Sequence, residues 1–200
     1  PHRAPAMLIP PVGDQVPRRG NFLTHAIARA LMLLTGWRFE GALPNLPKFV
    51  LIVAPHTSNW DFPLGVMAMF GLGIRGTFLG KDTLFRRPFG FFFRWLGGFP
   101  VDRSSPNHVV DQSIDYFRTR DRIILALSPE GTRKKIPQWR TGFYWVAVGA
   151  GVPIVPVAFD FPRKQFVLHP AQFMSGDAEK DIAHLRNFFS AAQAYHPEQY

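Results

Sequence analysis

The amino-acid sequence predicts an α/β fold in which a mostly parallel central sheet is flanked by helices. The first observation is the run at residues 49–54, which is continuously apolar, short and bounded by Pro47 and Pro55. Such a run suits a strand that is covered on both faces, as the strands of parallel sheets are. The second is that similar runs alternate with longer segments of helical spacing. The third is size, because 200 residues, 46% of them hydrophobic, can bury the core of one ordinary domain.

The N-terminal region is predicted to contain an extended arm and an amphipathic helix. Residues 1–20 are rich in proline and are expected to form the arm, and residues 21–200 are expected to form a single domain. Within residues 21–37, apolar side chains recur at helical spacing behind Arg18 and Arg19. This helix could pack only on the core. It could also act as an interfacial anchor, with basic residues on lipid headgroups and Leu and Phe side chains at the acyl boundary.

The remaining elements alternate along the chain. After the strand at 49–54 we predict further strands at residues 76–80, 122–127, 154–159 and 165–169. Helices are predicted near residues 61–71, 83–96, 107–120, 141–150 and 178–195. Pro153 and Pro156 belong to the segment around 154–159. Because proline lacks the backbone donor of a sheet ladder, they favour the start of a strand or an edge strand.

Composition and charge limit the classes of function. The chain carries 20 Phe and 5 Trp, so we expect some rings to face a lipid. It has no cysteine, which excludes disulfides, thiolate catalysis and cysteine metal sites and is compatible with a reducing cytoplasm. A formal net charge of +9 should attract nucleic acid or an anionic membrane. No apolar stretch reaches the roughly 18 residues of a spanning helix, so no transmembrane helix is predicted.

A histidine and an aspartate follow the first apolar strand. The polar sequence His-Thr-Ser-Asn-Trp-Asp begins at His56 and ends at Asp61. Active sites of α/β sheets lie outside the carboxyl ends of strands. A carboxylate there can accept a hydrogen bond from histidine Nδ1 and leave Nε2 free as a base. We therefore predict that His56 is a general base oriented by Asp61; the alternative is that Asp61 only caps the next helix.

A second polar turn follows the strand predicted at 122–127. It reads Glu130, Gly131, Thr132, Arg133, and further basic residues come directly after it. A guanidinium can hold a phosphate with two parallel hydrogen bonds. A basic cluster at strand ends also concentrates positive potential on an anionic ligand. We predict that these four residues bind a phosphate-bearing substrate.

The segment 71–76 matches the dinucleotide-binding pattern Gly-x-Gly-x-x-Gly. That pattern requires a preceding strand, a following helix and an acidic residue about 20 positions further on. Here a predicted helix precedes, a predicted strand follows, and residues 91–95 contain no acid. We therefore predict a glycine-rich turn from a helix to a strand and no dinucleotide site.

Arginines and aromatic residues alternate over residues 86–96. The rings include Phe91, Phe92, Phe93 and Trp95. They could fill the core, form a platform for single-stranded nucleic acid, or face a membrane and acyl chains, and we favour the last. A predicted close-approach turn at 97–103 follows and ends in Arg103, a second predicted phosphate ligand.

Taken in order, four segments resemble the sequence blocks of the glycerolipid acyltransferase family, the PlsC-like 1-acylglycerol-3-phosphate acyltransferases. The segments are His56 with Asp61, residues 98–103, residues 130–133 and residues 152–156. The resemblance covers roughly residues 45–160. Two segments depart from the usual family pattern: Ser128 stands in place of phenylalanine, and residues 139–142 in place of a lysine-rich stretch.

The resemblance implies transfer of a fatty acyl chain from coenzyme A or acyl carrier protein to a glycerolipid hydroxyl. His56 would be the base, Arg103 and Arg133 would lie near the acceptor phosphate, and Glu130 would order an arginine or the acceptor. The acceptor could be lysophosphatidate, another lysophospholipid or an amino-acid-based lyso-lipid. Because the chain has no Gly-x-Ser-x-Gly motif and no cysteine, direct transfer in a ternary complex is the simpler scheme.

Expected partners follow from the same reasoning. They are an anionic membrane surface, a lyso-lipid acceptor, and acyl-CoA or acyl carrier protein as co-substrate; no other cofactor, no metal ion and no nucleic acid is predicted. The expected location is cytoplasmic, at the inner face of the membrane. Three alternatives stay open: a non-catalytic lipid-binding module, a nucleic-acid binder, and a transacylase that takes its chain from an intact phospholipid.

Overall fold

The structure, a computed structural model, describes residues 5–101, 106–133 and 135–200. Within these ranges one sheet is formed by β1 (Arg38–Glu40), β2 (Lys48–Ala54), β3 (Gly76–Lys81), β4 (Gly98–Val101), β5 (Ile123–Leu127), β6 (Ile154–Asp160) and β7 (Gln165–Leu168). Its order is β1-β7-β6-β2-β5-β3-β4. The pair β6 and β7 is antiparallel and the other neighbours are parallel. The predicted α/β fold with a mostly parallel sheet is confirmed.

Helices cover both faces of this sheet. They are α1 (Phe22–Thr35), α2 (Asp61–Leu72), α3 (Gly90–Trp95), α4 (Pro106–Arg118), α5 (Gly142–Ala150) and α6 (Ala178–Arg186). Helix α1 begins at Asn21, whose side chain accepts a hydrogen bond from Thr24 N, and ends at Gly36 in the left-handed conformation. Among the described residues, no helix is long and apolar enough to cross a membrane.

The central strand β2 is buried on both faces, which explains its uninterrupted apolar sequence. Phe49 packs in a cluster with Met32 of α1 and Met67 of α2. The alternate residues, Val50 and Ile52 among them, belong to a second cluster, to which α4, α5 and α6 contribute Phe117, Phe143 and Leu185. Alternating side chains along a strand point to opposite faces, so one run serves two cores.

The two glycine-rich segments have different roles. The predicted helix-to-strand turn is confirmed, because α2 ends at Leu72, Gly73 has a φ of 66°, and β3 begins at Gly76. The close-approach turn predicted over 97–103 is confirmed at Gly97, which lies in a turn with a φ of 99°, and is wrong over residues 98–101, which form β4. A Cβ on Gly98 would lie 2.7 Å from the carbonyl oxygen of Phe93, so glycine permits close packing of this strand against α3.

Short elements differ most from the predictions. Strand β1 has three residues and shows no periodicity, so it was not predicted. The predicted helix at 83–96 is divided into a 3₁₀ turn, Asp82–Phe85, and α3, because Pro88 lies between them and lacks a backbone donor. The helix predicted at 178–195 ends at Arg186. A separate 3₁₀ turn follows, in which the Ser190 side chain accepts a hydrogen bond from Ala192 N.

Of the two positions predicted for Pro153 and Pro156, the start of a strand is confirmed for Pro153, which directly precedes β6; an edge position is wrong, because β6 lies between β2 and β7. The last residue of β7, Leu168, pairs with Val157. Pro156 therefore faces the chain just beyond β7, where its carbonyl accepts a hydrogen bond of 3.0 Å from His169 N. No ladder bond requires a donor at this position, so proline is tolerated inside a central strand.

Candidate active site

Two neighbouring strands bring the predicted site residues to one edge of the sheet. Strands β2 and β5 are parallel, with Ile52 opposite Leu127. His56 follows the end of β2 and Glu130 follows the end of β5. Because both strands run in the same direction, the loops that leave them meet at the same edge. We call them the His56 loop (residues 55–60) and the Glu130 loop (residues 128–133).

His56 and Asp61 form the predicted pair. His56 Nδ1 lies 2.8 Å from Asp61 Oδ2; the Asp61 side chain is 2% exposed and that of His56 is 29% exposed. Asp61 Oδ2 also accepts a hydrogen bond of 3.0 Å from Ser58 N. With a proton on Nδ1, the Nε2 atom has a lone pair that can accept a proton, and the His56 side chain is partly exposed. This is the arrangement that a general base requires.

The alternative role of Asp61 as a simple helix cap is not observed. Asp61 is the first residue of α2, and Trp60 occupies the cap position without a side-chain hydrogen bond. The Asp61 carboxylate points back into the His56 loop, where its second oxygen, Oδ1, is buried and has no hydrogen-bond partner in the described part of the chain. A carboxylate at the first turn of a helix is also favoured by the helix dipole.

Glu130 holds the backbone of His56. Its Oε2 and Oε1 atoms accept from His56 N at 3.0 and 3.2 Å. Burial raises the pKa of Glu130 to about 7, opposed by the hydrogen bond from His56 N and by the charge of His56, while the charge of Asp61 raises it further. The sequence-based expectation was that Glu130 orders an arginine or the acceptor. Among the described residues, its observed partner is instead the backbone of His56.

Arg133 joins the two loops from the solvent side. Its Nη1 donates a hydrogen bond to Asn59 Oδ1, and its side chain is otherwise exposed. Thr132 is partly exposed in the same turn, and Gly131 has a φ of 64°. The positive φ favours glycine at this position, whereas a Cβ there, 2.9 Å from Arg140 Cδ, would only displace a flexible and exposed side chain. The predicted ligand Arg103 lies outside the described residues.

Residues 196–200, here called the C-terminal segment, contact both loops. His196 N donates to Thr57 Oγ1 at 3.1 Å. With its amide nitrogen turned toward the loops, Gln199 donates to Arg133 O at 2.7 Å and Thr57 O at 3.2 Å. Burial raises the pKa of Tyr200 to about 12, and the charge of Glu130 adds to this effect. Sequence reasoning missed this segment.

Aromatic side chains extend from the site to α3. Trp60 and Phe62, on either side of Asp61, are exposed, and Phe62 contacts Phe93 with ring centres 6.4 Å apart. Of the four predicted lipid-facing rings, Phe91, Phe92 and Trp95 are exposed. Phe93 is half-buried and also packs on Phe85, so it contributes to the packing of this region.

Comparison with known proteins gives the family. Residues 41–160 match the family model described as Acyltransferase. The chain belongs to the acyltransferase family. The 1-acyl-sn-glycerol-3-phosphate acyltransferase of Streptococcus pneumoniae is 29% identical over 153 residues, which cover 72% of this chain and 56% of that protein. The Escherichia coli protein of the same name is 31% identical over 114 residues, or 54% of this chain and 45% of that protein.

A solved structure supports the fold of this acyltransferase-family chain. It is the 1-acyl-sn-glycerophosphate (LPA) acyltransferase, PlsC, from Thermotoga maritima, with a TM-score of 0.52 and 19% identity over 72% of this chain and 64% of that one. The resemblance to PlsC-like proteins predicted from the sequence motifs is thus confirmed. The chain spans about half the length of the curated relatives it matches.

Proposed function

We propose that this protein transfers a fatty acyl group from acyl-CoA or acyl carrier protein to the free hydroxyl of a lysophospholipid, 1-acylglycerol-3-phosphate. The observation that carries the proposal is the 2.8 Å contact of His56 Nδ1 with the buried Asp61, which leaves Nε2 accessible. The names of the relatives support this acceptor. The chain has no cysteine to form an acyl-enzyme.

In the proposed reaction, His56 Nε2 removes the proton from the acceptor hydroxyl as its oxygen attacks the thioester carbonyl carbon. The new C–O ester bond forms and the C–S bond breaks. The imidazolium then returns the proton to the departing thiolate, so no cofactor is consumed. Asp61 stabilises the imidazolium and fixes its orientation. Glu130 holds the backbone of His56 in place.

Alignment of the two substrates is expected to supply more of the rate than proton transfer. General base catalysis contributes about 10²- to 10⁴-fold, whereas positioning of two reactants can lower a barrier by about 7 kcal/mol or more. Arg133 reaches the His56 loop through Asn59, and its remaining side-chain N–H donors, which have no partner among the described residues, could bind an acceptor phosphate near the base. We assign the same role to Arg103.

We further propose that the protein works at the inner face of the cytoplasmic membrane. Exposed apolar side chains of α1 and α3 form a surface that we call the apolar surface. It consists of Phe22, Leu23, Ile27, Leu34, Phe91 and Trp95. Buried contacts of Ala28, Phe70 and Leu96 join its α1 part to its α3 part. Each large apolar side chain that enters a lipid interface contributes about 1.5–3 kcal/mol. Trp60 and Phe62 continue this surface to the base.

The test compares wild type with His56→Ala in an assay of thiol release from acyl-CoA in the presence of 1-acylglycerol-3-phosphate. His108→Ala, at an exposed position on α4, is the matched control. We expect the first variant to lose turnover by about 10²-fold or more and the control to retain it. Turnover of His56→Ala near the wild-type rate would contradict the mechanism. Acyl transfer from intact phospholipid without any thioester would identify a transacylase instead.

A further inference from the structure

A pocket lies at the other end of α2 from His56 and Asp61. It is lined by Arg18, Arg19, Gly20, His25 and Gly73 and has a volume of about 470 Å³. Helix α2 has 12 residues, so its two ends are about 18 Å apart at 1.5 Å per residue. The pocket is therefore separate from the site that carries the base.

Backbone pairing places two arginines on the same side of this region. Arg19 N donates to Gly73 O at 2.9 Å and Arg75 N donates to Pro17 O at 2.8 Å, on either side of a bridge between residues 18 and 74. In antiparallel pairing, residues at diagonal positions of this kind face the same side and lie about 7–8 Å apart. Ile74 is buried on the opposite side. Arg19 and Arg75 thus project together, away from the core.

The guanidinium of Arg19 packs on two aromatic rings, and no described residue accepts a hydrogen bond from it. It lies 4.8 Å from the ring centre of Trp95 and 5.5 Å from that of Phe70. Burial lowers the pKa of Arg19, and the charge of Arg75 lowers it further. Neither side chain has a carboxylate or hydrogen-bond partner in the described part of the chain. Arg18 differs, because its N–H groups donate to Leu72 O and Val12 O.

This arrangement favours the binding of an anion. Two clustered cations, one of them half-buried, repel each other, and the aromatic faces compensate only part of the cost of removing a guanidinium from water. His25 adds a further group at the pocket: its Nδ1 contacts Phe70 O at 2.9 Å, and its Nε2, which has no backbone partner among the described residues, lies beside Gly20. A phosphate would satisfy both guanidiniums at once.

We propose that Arg19 and Arg75, with the pocket beside them, bind the phosphate of an anionic phospholipid headgroup, at a site distinct from that of the acylated acceptor. The exposed ring of Trp95, a member of the apolar surface, has its centre 4.8 Å from the Arg19 guanidinium, so the chains of a lipid bound there would lie along the apolar surface. This neighbourhood favours a lipid over a free phosphate. The inference rests on the proposed membrane association.

The test measures binding of the full chain to phosphatidylcholine vesicles with and without phosphatidylglycerol. Arg19→Ala should weaken binding to the anionic vesicles by about tenfold or more, as expected for loss of charge-assisted hydrogen bonds. Arg29→Ala removes the same charge from an exposed position on α1. As a contributor to diffuse attraction only, it should cost about fivefold or less. Arg19→Lys keeps the charge but not the planar donor fork, and should restore binding only in part.

Three results would overturn the proposed headgroup site at Arg19 and Arg75. Equal losses for Arg19→Ala and Arg29→Ala, or full binding by Arg19→Lys, would overturn it in favour of diffuse attraction. Inorganic phosphate added at constant ionic strength should not release the protein; complete release would assign the site to free phosphate and overturn the lipid assignment. Arg75→Ala, at an exposed position, repeats the test should Arg19→Ala lower the thermal stability.

A separate measurement distinguishes this inference from the proposed function. Acyl transfer to a short-chain lyso-lipid, dissolved without vesicles, should be equal for wild type and Arg19→Ala. Loss of that transfer in Arg19→Ala would place Arg19 in the acceptor site and overturn a distinct headgroup site. An inactive wild type that still binds anionic vesicles through Arg19 would contradict the acyltransferase proposal alone.

Discussion

The two ends of α2 differ in how their charged groups are satisfied. At the Asp61 end, the charged groups of the candidate site have partners among the described residues: Asp61 contacts His56, Glu130 accepts from the His56 backbone, and Arg133 donates to the Asn59 side chain. At the Gly73 end, Arg19 and Arg75 have none among the described residues. The first end is organised before any substrate arrives, as catalysis requires. At the second end, a bound anion would pair with the two arginines.

The largest effect is expected from a substitution of Asp61, at the centre of the Asp61 end, which we call the organised end. Asp61→Asn replaces Oδ2, the one oxygen that accepts from both His56 Nδ1 and Ser58 N, by an atom of a neutral amide. Whichever way the amide turns, it lacks the negative charge that stabilises the imidazolium, so His56 becomes a weaker base. We expect kcat to fall by about 10²- to 10⁴-fold with little change in KM. Asp111→Asn, at an exposed position on α4, is the control, and similar kcat values for the two variants would contradict this role.

Substitutions of Glu130 test whether turnover requires the hydrogen bond that joins the Glu130 loop to the His56 loop. Glu130→Ala removes the acceptor for His56 N and leaves a buried N–H unpaired, which costs about 1–3 kcal/mol. We expect a loss in kcat of about tenfold through misplacement of the base. Glu130→Gln keeps one acceptor oxygen and should restore most of kcat. If the glutamine variant is as impaired as the alanine variant, the carboxylate acts in some way other than by holding this backbone.

The raised pKa of Glu130 also predicts a pH dependence of stability. Its usual pKa of 4.5 applies to the unfolded chain and about 7 to the folded one. Between these values the folded state keeps a proton that the unfolded state has lost, so the free energy of unfolding should fall as pH rises from about 4.5 to 7. The total is a few kcal/mol at most. Urea unfolding across this range should show the free energy of unfolding of wild type falling relative to that of Glu130→Gln, which has no titrating group at this position; a constant difference would contradict the shift.

The sequence was sufficient to predict the organised end in part. His56, Asp61 and Glu130 follow apolar strands, and parallel strands bring their ends together whatever the details of packing. The partner of Glu130 could not be predicted, because a backbone N–H carries no residue-type signal. The contacts of His196 and Gln199 join distant parts of the chain without a motif. The arginine pair likewise depends on a two-residue bridge that no periodicity reveals.

A smaller effect is expected from a substitution in the apolar surface, which lies near the Gly73 end of α2. Phe91 and Phe173 are each 75% exposed, so replacing either by serine should change the free energy of unfolding by about 0.5 kcal/mol or less. Phe91→Ser should weaken vesicle binding by about tenfold, because one buried ring contributes roughly 1.5–3 kcal/mol. Phe173→Ser, outside the apolar surface, should not. Equal vesicle binding by the two variants would remove α3 from the membrane contact.

The smallest effect is expected where the organised end has more than one support. Thr57→Val removes the acceptor of His196 N while keeping the shape of the side chain. Because Gln199 and Glu130 still hold the same loop, we expect a stability loss of only about 0.5–1.5 kcal/mol and a decrease in kcat of a few-fold. Thr57→Ser should restore both. If Thr57→Val instead abolished turnover at unchanged stability, the C-terminal segment would be essential for the position of His56. The geometry of the candidate site would then depend on the C-terminal segment more than on Glu130.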